Sequence, residues 1–218
     1  MYRYIFFDLD GTLTDSKEGI FNCIRYALEK LELPVPPEET LFKFIGPPLH
    51  DSYMRYCGMT QEAAVHAVDL FRERYNPIGK FENAPAPGAA ELCARLKERG
   101  YVLALASSKP EEMCLAICDR FGFTPSMASV TGSAPGDDWE KADVIREAMR
   151  RLGLTEADKP AILMVGDRKF DVLGARECGI DCIGIELFGY ADPGELEAAG
   201  AVAVVQTMGE LEQYILAH

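Results

Sequence analysis

Long apolar runs are missing from this chain of 218 residues; the extended ones, such as 161–165, stop after five or six residues. That is far short of the ~20 a membrane-crossing helix needs. Nor does the chain open on a basic segment followed by an apolar stretch and a small-residue cleavage site. Met1 leads straight into the strand-like YRYIFF, so no secretory leader is expected and the cytoplasm is the expected compartment. Positive charge is scarce as well: 22 Lys and Arg face 35 Asp and Glu, a net charge of −13. This argues against nucleic acid or an anionic membrane as partner, because a phosphate backbone is held chiefly by Lys and Arg. An anionic substrate meets the same difficulty, so positive charge must be gathered locally. The 7 cysteines are an odd number, mostly inside apolar patterns. Cys114 and Cys118 stand one helical turn apart, but no second Cys/His pair accompanies them, and reduced, buried thiols are expected rather than a soft-metal site. Internal repeats and low-complexity tracts are absent from the sequence.

What is present reads as a soluble globular protein, with 48% hydrophobic and 26% charged residues and enough length for one large domain or a core with a modest insertion. Buried strands are predicted at 4–8, 102–106, 129–130 (a weaker signal), 161–165, 182–187 and 201–205. Helical patterns separate them at 88–99, 110–121, 139–152 and 170–178, each stopped by a glycine: Gly100, Gly122, Gly153 and Gly179. Alternation of this kind predicts an α/β fold, a doubly wound parallel sheet covered on both faces. One segment breaks it. Residues 15–83 carry helical patterns without strands, at 16–31, just after Pro37, from Leu49 and at 60–75. Asp15, with Glu18 three residues on, predicts a capping box for the first. The exit NPIGKFENAPAPG reads as a connector. The expected organisation is a core of residues 1–14 and 84–218 with an inserted all-helical domain at 15–83.

The first strand ends in FFDLDGTLTDS, which sets two aspartates, Asp8 and Asp10, directly after large apolar side chains. In an open parallel sheet, ligands bind beyond the carboxyl ends of the strands. Ser107, Ser108 and Lys109 follow the second strand at that same end, and Gly166 and Asp167 follow the AILMV strand, with Asp171 one turn later. Four aspartates thus converge on one rim. Two carboxylates ~4 Å apart repel by about 4 kcal/mol at an effective dielectric of 20, so a compensating cation is required. An all-oxygen ligand set points to Mg²⁺ rather than zinc.

DLDGT after an apolar strand, LALASS as a second strand ending in Ser, a Lys opening a later helix, and VGDRKFD resemble, in order, the four motifs of the haloacid dehalogenase superfamily. The resemblance spans nearly the whole chain and is nearest to the phosphoglycolate phosphatase-like branch, whose helical cap is inserted after the first motif. It implies a Rossmann-like core and a Mg²⁺-dependent phosphatase acting on a small phosphorylated metabolite. The implied roles are a nucleophile at Asp8 that forms an aspartyl phosphate, and an acid and base at Asp10. Mg²⁺ would be held by Asp8, the Asp10 backbone carbonyl and Asp167, with Asp171 acting directly or through water. Ser107, Ser108 and a lysine would hold the phosphoryl oxygens. A monomer or a homodimer is expected. Carbon–halogen chemistry is disfavoured because dehalogenases of the superfamily lack the second aspartate. A two-component receiver domain is shorter and arranges its aspartates differently. A phosphomutase of the same superfamily, or a pyrophosphatase, remains the alternative.

Lys141 is the lysine favoured by its position. It precedes Val144 and Ile145 by three and four residues, in a stripe that continues through Ala148, Met149 and Leu152, so its stem points to the packed side of the helix and calls for an anionic partner. A lysine snorkelling at a helix end is the plainer reading, and Lys109 is taken as a rim residue near the same phosphate. Asp171 fits both a metal ligand and a helix-start carboxylate. His50 and His66 are read as surface residues. In IGPPLHDSY, Gly-Pro-Pro makes a rigid turn, and Leu49 and Ser52 fit functional and structural roles equally. Departures from the branch are Ala-Asp after Lys141 where Pro is frequent, the acidic stretch GSAPGDDWE, and Thr14 at an aliphatic position. They weaken transfer of phosphoglycolate itself as substrate and leave nucleoside monophosphate, pyrophosphate and sugar phosphate open.

Overall fold

Alternation of side chains along β1 (Tyr4–Phe7) divides the interior into two hydrophobic layers: Ile5 and Phe7 point to one face of a sheet, Phe6 to the other. The computed structural model describes residues 1–134 and 139–218, so part of GSAPGDDWE lies outside the described residues. The chain forms two compact units, one of Met1–Thr14 with Pro85–His218, the other of Asp15–Ala84. It passes between them through two short strands, β2 (Thr14–Asp15) and β3 (Ala84–Pro85).

The first unit is built on β1, β4 (Val102–Pro110), β5 (Met127–Ser133), β6 (Ile162–Gly166), β7 (Asp181–Ile185) and β8 (Val204–Val205), in the spatial order β5-β4-β1-β6-β7-β8. Every pairing is parallel; Phe6, for example, lies between Ala104 and Met164. Ten helices in the described residues are numbered in chain order, and six belong to this unit. Helices α5 (Ala89–Glu98), α6 (Glu111–Phe121) and α10 (Met208–Ala217) cover the Ile5 and Phe7 face through Leu92, Leu96, Ile117, Leu211 and Ile215. Helices α7 (Lys141–Arg151), α8 (Lys169–Cys178) and α9 (Glu195–Ala199) cover the Phe6 face through Val144, Ile145, Ala148, Val172, Ala175 and Leu196. This is the doubly wound parallel sheet that the periodicity predicts.

The differences lie at element ends. β5 is longer than the 129–130 signal because it is an edge strand of small and polar residues, several half-exposed, and so carries little apolar pattern. β4 continues through Ser107 to Pro110, which pairs with Ser133 after a break in register. β7 stops at Ile185, where its ladder with the short β8 ends. Helix α10 was not predicted, although Met208, Leu211 and Ile215 share a buried face and the Thr207 hydroxyl accepts the Glu210 amide (3.1 Å).

The second unit holds α1 (Lys17–Lys30), α2 (Glu38–Leu41), α3 (Leu49–Cys57) and α4 (Gln61–Tyr75). Ile20, Ile24, Ala27 and Leu28 of α1 and Ala64, Val68 and Phe71 of α4 are buried. The predicted capping box of α1 is absent: Ser16 is the N-cap, makes no side-chain capping bond, and the Asp15 carboxylate accepts the Lys17 amide (3.2 Å) instead. The helix starts two residues after Asp15, so Glu18 is too early to reach back as a box requires. Thr60 does cap α4, accepting the Ala63 amide at 3.3 Å. No helix among the described residues is long and apolar enough to cross a membrane.

Leu211 of α10 is fully buried. Leu211→Ala should therefore cost about 2–5 kcal/mol through lost transfer energy and the cavity left behind, seen as a lower urea midpoint by far-UV circular dichroism; an unchanged midpoint would mean that α10 contributes little to the core.

Candidate active site

Asp8 continues the alternation of Phe6, so its side chain emerges on the sheet face covered by α7 and α8, while its amide stays in the ladder by donating to the Val165 carbonyl (2.9 Å). Lys141 is the first residue of α7 and Asp171 belongs to the first turn of α8. Their side chains meet Asp8 over the strand end: Lys141 Nζ lies 2.6 Å from Asp8 Oδ1, 2.7 Å from Asp171 Oδ1 and 3.1 Å from the Ala106 carbonyl oxygen. Three acceptors match the three donors of an ammonium. Asp8, Lys141, Asp167 and Asp171 are all buried.

These groups shape one another's protonation. Burial opposes the charge of Lys141, but the Asp171 and Asp8 carboxylates outweigh it and hold the ammonium above its ordinary range. Asp8 is pushed up to about 6, by burial above all; Lys141 pulls down, and Asp171 and Asp10 push further up. Burial, with Asp171 and Asp8 beside it, lifts Asp167 well above its ordinary value.

One oxygen from each of Asp8, Asp167 and Asp171 lies within 4.8 Å of the others. Asp171 Oδ2 accepts the Arg168 amide (3.0 Å), and Asp167 Oδ1 accepts the Thr12 hydroxyl (3.3 Å). Asp167 Oδ2 is buried with no hydrogen-bond donor. Such an oxygen is costly unless a cation completes it. Lys141 meets two of these three carboxylates, Asp8 and Asp171, and the residues fit an oxygen-preferring divalent ion such as Mg²⁺.

Asp10 stands apart from this trio. Its carboxylate receives Lys109, whose Nζ is 2.8 Å from Oδ1 and 2.6 Å from Oδ2. Lys109 follows Ser107 along β4, and its side chain is buried in this ion pair. Ser107 is buried and its hydroxyl accepts the Lys109 amide (3.4 Å), whereas Ser108 is exposed. Thr14 is buried and donates to the Leu9 carbonyl (3.3 Å), which gives a hydroxyl a use where an aliphatic side chain is usual. In the helical unit, Ser52 Oγ donates to the Pro48 carbonyl (3.3 Å), a bond internal to α3; His66 is exposed, and His50 pairs with Asp51 at 3.2 Å.

Sequence reasoning reads Gly11 only as the backbone freedom of a sharp strand exit and does not find the room that three glycines make for this cluster. A Cβ on Gly11, whose φ is +88°, would lie 2.1 Å from Asp167 Oδ2; one on Gly166 would lie 2.2 Å from the Asp171 Cγ, and one on Gly174 2.8 Å from the Lys141 Cγ. Gly174 left a readable signal, because a glycine inside a helix costs about 1 kcal/mol relative to alanine and implies a close approach. Thr12, Arg168 and Glu195 were missed as well.

The model of the haloacid dehalogenase-like hydrolases matches residues 5–185. A 5′-nucleotidase of Pseudomonas aeruginosa is 36% identical over 218 residues, covering 100% of this chain and 97% of its own. The tyrosine-protein kinase PtkA of Mycobacterium tuberculosis is 35% identical over 214 residues, 97% of this chain and 72% of its own. The crystal structure of a predicted phosphatase from Clostridium acetobutylicum superimposes with a TM-score of 0.92 at 38% identity, covering 100% of both chains.

A carboxyl lifted in the folded state, as Asp8 is, binds protons more readily there than in the unfolded chain, so its effect on stability is most favourable at low pH and is lost as pH rises through about 6. In chelator-treated protein, Asp8→Asn should raise unfolding free energy by about 1–3 kcal/mol at pH 8, a gain that shrinks toward pH 4; urea titrations at the two pH values measure it, and equal gains at both would contradict the electrostatic origin.

Proposed function

The chain belongs to the haloacid dehalogenase-like hydrolases and is a phosphatase, and from this premise we propose that it hydrolyses a small phosphomonoester through an aspartyl phosphate formed on Asp8. The observation that carries the reading is the buried Asp8 carboxylate held at 2.6 Å by Lys141 beside Asp167 and its unpartnered oxygen. A nucleophile must present an oxygen at the strand end with its charge screened enough for an anion to approach, and Lys141 does this.

In the proposed reaction an Asp8 oxygen bonds to phosphorus as the ester oxygen leaves. Asp10 gives that oxygen its proton, so the leaving group departs as an alcohol. Asp10 then accepts a proton from water, whose oxygen attacks phosphorus, and the bond to Asp8 breaks to release phosphate. Ser107 and Ser108 receive the phosphoryl oxygens and Lys141 neutralises the charge that develops on them. Asp10 therefore enters the first step protonated, and the Lys109 ion pair receives its carboxylate once that proton has been given up. Asp8, the Asp10 backbone carbonyl and Asp167 would hold Mg²⁺, with Asp171 fixed behind them by Lys141 and the Arg168 amide. The ion supplies positive charge that lets two anions meet. The inserted helical unit is assigned the part of a substrate-selecting cap from its place in the chain, directly after Asp8 and Asp10. One relative being a 5′-nucleotidase, nucleoside monophosphates lead the candidate substrates, followed by phosphoglycolate, sugar phosphates and pyrophosphate.

Phosphate release from such a panel tests the reading. Asp8→Asn should abolish turnover, by at least about 10³-fold, and chelation of Mg²⁺ should do the same reversibly; near wild-type release by pure Asp8→Asn protein would refute covalent catalysis at this residue. Asp10→Asn should lower kcat by about 10²–10⁴-fold on alkyl phosphates and far less on p-nitrophenyl phosphate, whose leaving group needs no acid. Equal losses on both would remove the acid role.

A further inference from the structure

The turn that follows β1 closes on a single acceptor. The Leu9 carbonyl receives the amides of Thr12 (3.3 Å), Leu13 (3.0 Å) and Thr14 (2.9 Å) and the Thr14 hydroxyl (3.3 Å), while the Gly11 amide donates to the Thr14 carbonyl (2.7 Å). Leu9 and Leu13 are fully buried in the Ile5 and Phe7 layer, so the turn is anchored from beneath as well. Two residues of this turn, Gly11 and Thr12, meet the same distant side chain. Thr12 is fully buried and its hydroxyl donates to Asp167 Oδ1 at 3.3 Å, across 155 residues of sequence. Gly11 lies against that carboxylate, for a Cβ on it would come within 2.1 Å of Oδ2 and 2.4 Å of Cγ.

A carboxylate carries two like oxygens on a terminal torsion whose wells are broad, so its own geometry does not decide which oxygen faces the protein and which is left for a ligand. Thr12 makes that distinction. A hydroxyl has one proton to give, and giving it to Oδ1 satisfies one buried oxygen, whereas Oδ2 stays buried with no donor. An oxygen in that state is costly unless a cation meets it. We propose that Thr12 is a positioning residue for the metal: through Oδ1 it fixes the Asp167 carboxylate so that Oδ2 is presented to the divalent cation. A hydrogen bond to an ionised acceptor carries direction as well as strength, and the hydrogen-bonded turn around Leu9 supplies that direction before any cation arrives. The hydroxyl acts through Asp167 alone, and Gly11 leaves the room in which the carboxylate lies.

The inference rests on the metal reading of Asp8 and Asp167, and calorimetry of Mg²⁺ binding to the full chain, with Mn²⁺ binding by electron paramagnetic resonance in parallel, separates the two. Thr12→Val, close to threonine in shape but without the donor, should weaken both cations by roughly 10–100-fold, the range found for outer partners of metal ligands. Thr12→Ala should do the same and covers the case in which the valine variant fails to fold. Thr12→Ser keeps the hydroxyl and should lose less than about tenfold. Circular dichroism of each variant before titration confines the comparison to folded protein. Wild-type affinity in folded Thr12→Val or Thr12→Ala protein overturns the inference, and so does a serine variant as weak as the valine one, which would show that the methyl group and not the hydroxyl matters. A wild-type protein that takes up neither cation overturns the metal reading itself, a result recognisable before any variant is made.

Discussion

The ion cluster of Lys141 with Asp8 and Asp171 is the interaction around which the carboxyl end of the sheet is arranged. It joins the first strand, the first residue of α7 and the first turn of α8, three segments more than 100 residues apart at the extremes, at one point above the sheet. A buried ammonium is tolerable only with several close acceptors, and a buried carboxylate only with a donor or cation. Each member therefore requires the others, and the strand ends are locked in register by the ladder beneath them. The cost of gathering like charges is visible in Asp8 and Asp167, both lifted above the ordinary carboxylate range, chiefly by burial. The proposed chemistry would draw on this, because charge removed from water interacts strongly with an incoming anion or cation.

Around the cluster, the backbone has been thinned to let side chains approach. Gly11, Gly166 and Gly174 stand where a methyl group would overlap Asp167, Asp171 and Lys141. The surrounding polar groups share the same logic of commitment. Lys109 is spent on Asp10, Thr12 on one Asp167 oxygen and Arg168 on Glu195, which leaves the second Asp167 oxygen as the group without a donor among these. In a chain with 13 more acidic than basic groups, the few cations near the site are placed individually rather than pooled.

The fold was legible where periodicity is strong. Central strands buried on both faces read as continuous apolar runs, and glycine stops mark the helix ends; Gly122 and Gly179 adopt the left-handed conformation that such stops require. Legibility failed at the edge strand β5, whose small polar residues lack an apolar signature, and at the α1 cap, where a one-residue shift of the start removes the capping geometry. The direction of the Lys141 stem could be argued from the stripe of Val144, Ile145 and Ala148. The burial of Lys109 could not, because it depends on how far β4 continues beside β5, a matter of pairing rather than of local pattern.

By itself the sequence determined that strands and helices alternate around a parallel sheet, that a helical segment interrupts them, and that Asp8, Asp10 and Asp167 follow strand ends with Asp171 one turn into the next helix, since these follow from short-range patterns and the chirality of the connections. Only the tertiary structure decided which cation faces which carboxylate: Lys141 to Asp8 and Asp171, Lys109 to Asp10, Arg168 to Glu195. Charge pairing is a contest among all partners within reach, and reach is set by the packing of remote elements, which no local stretch of the chain contains.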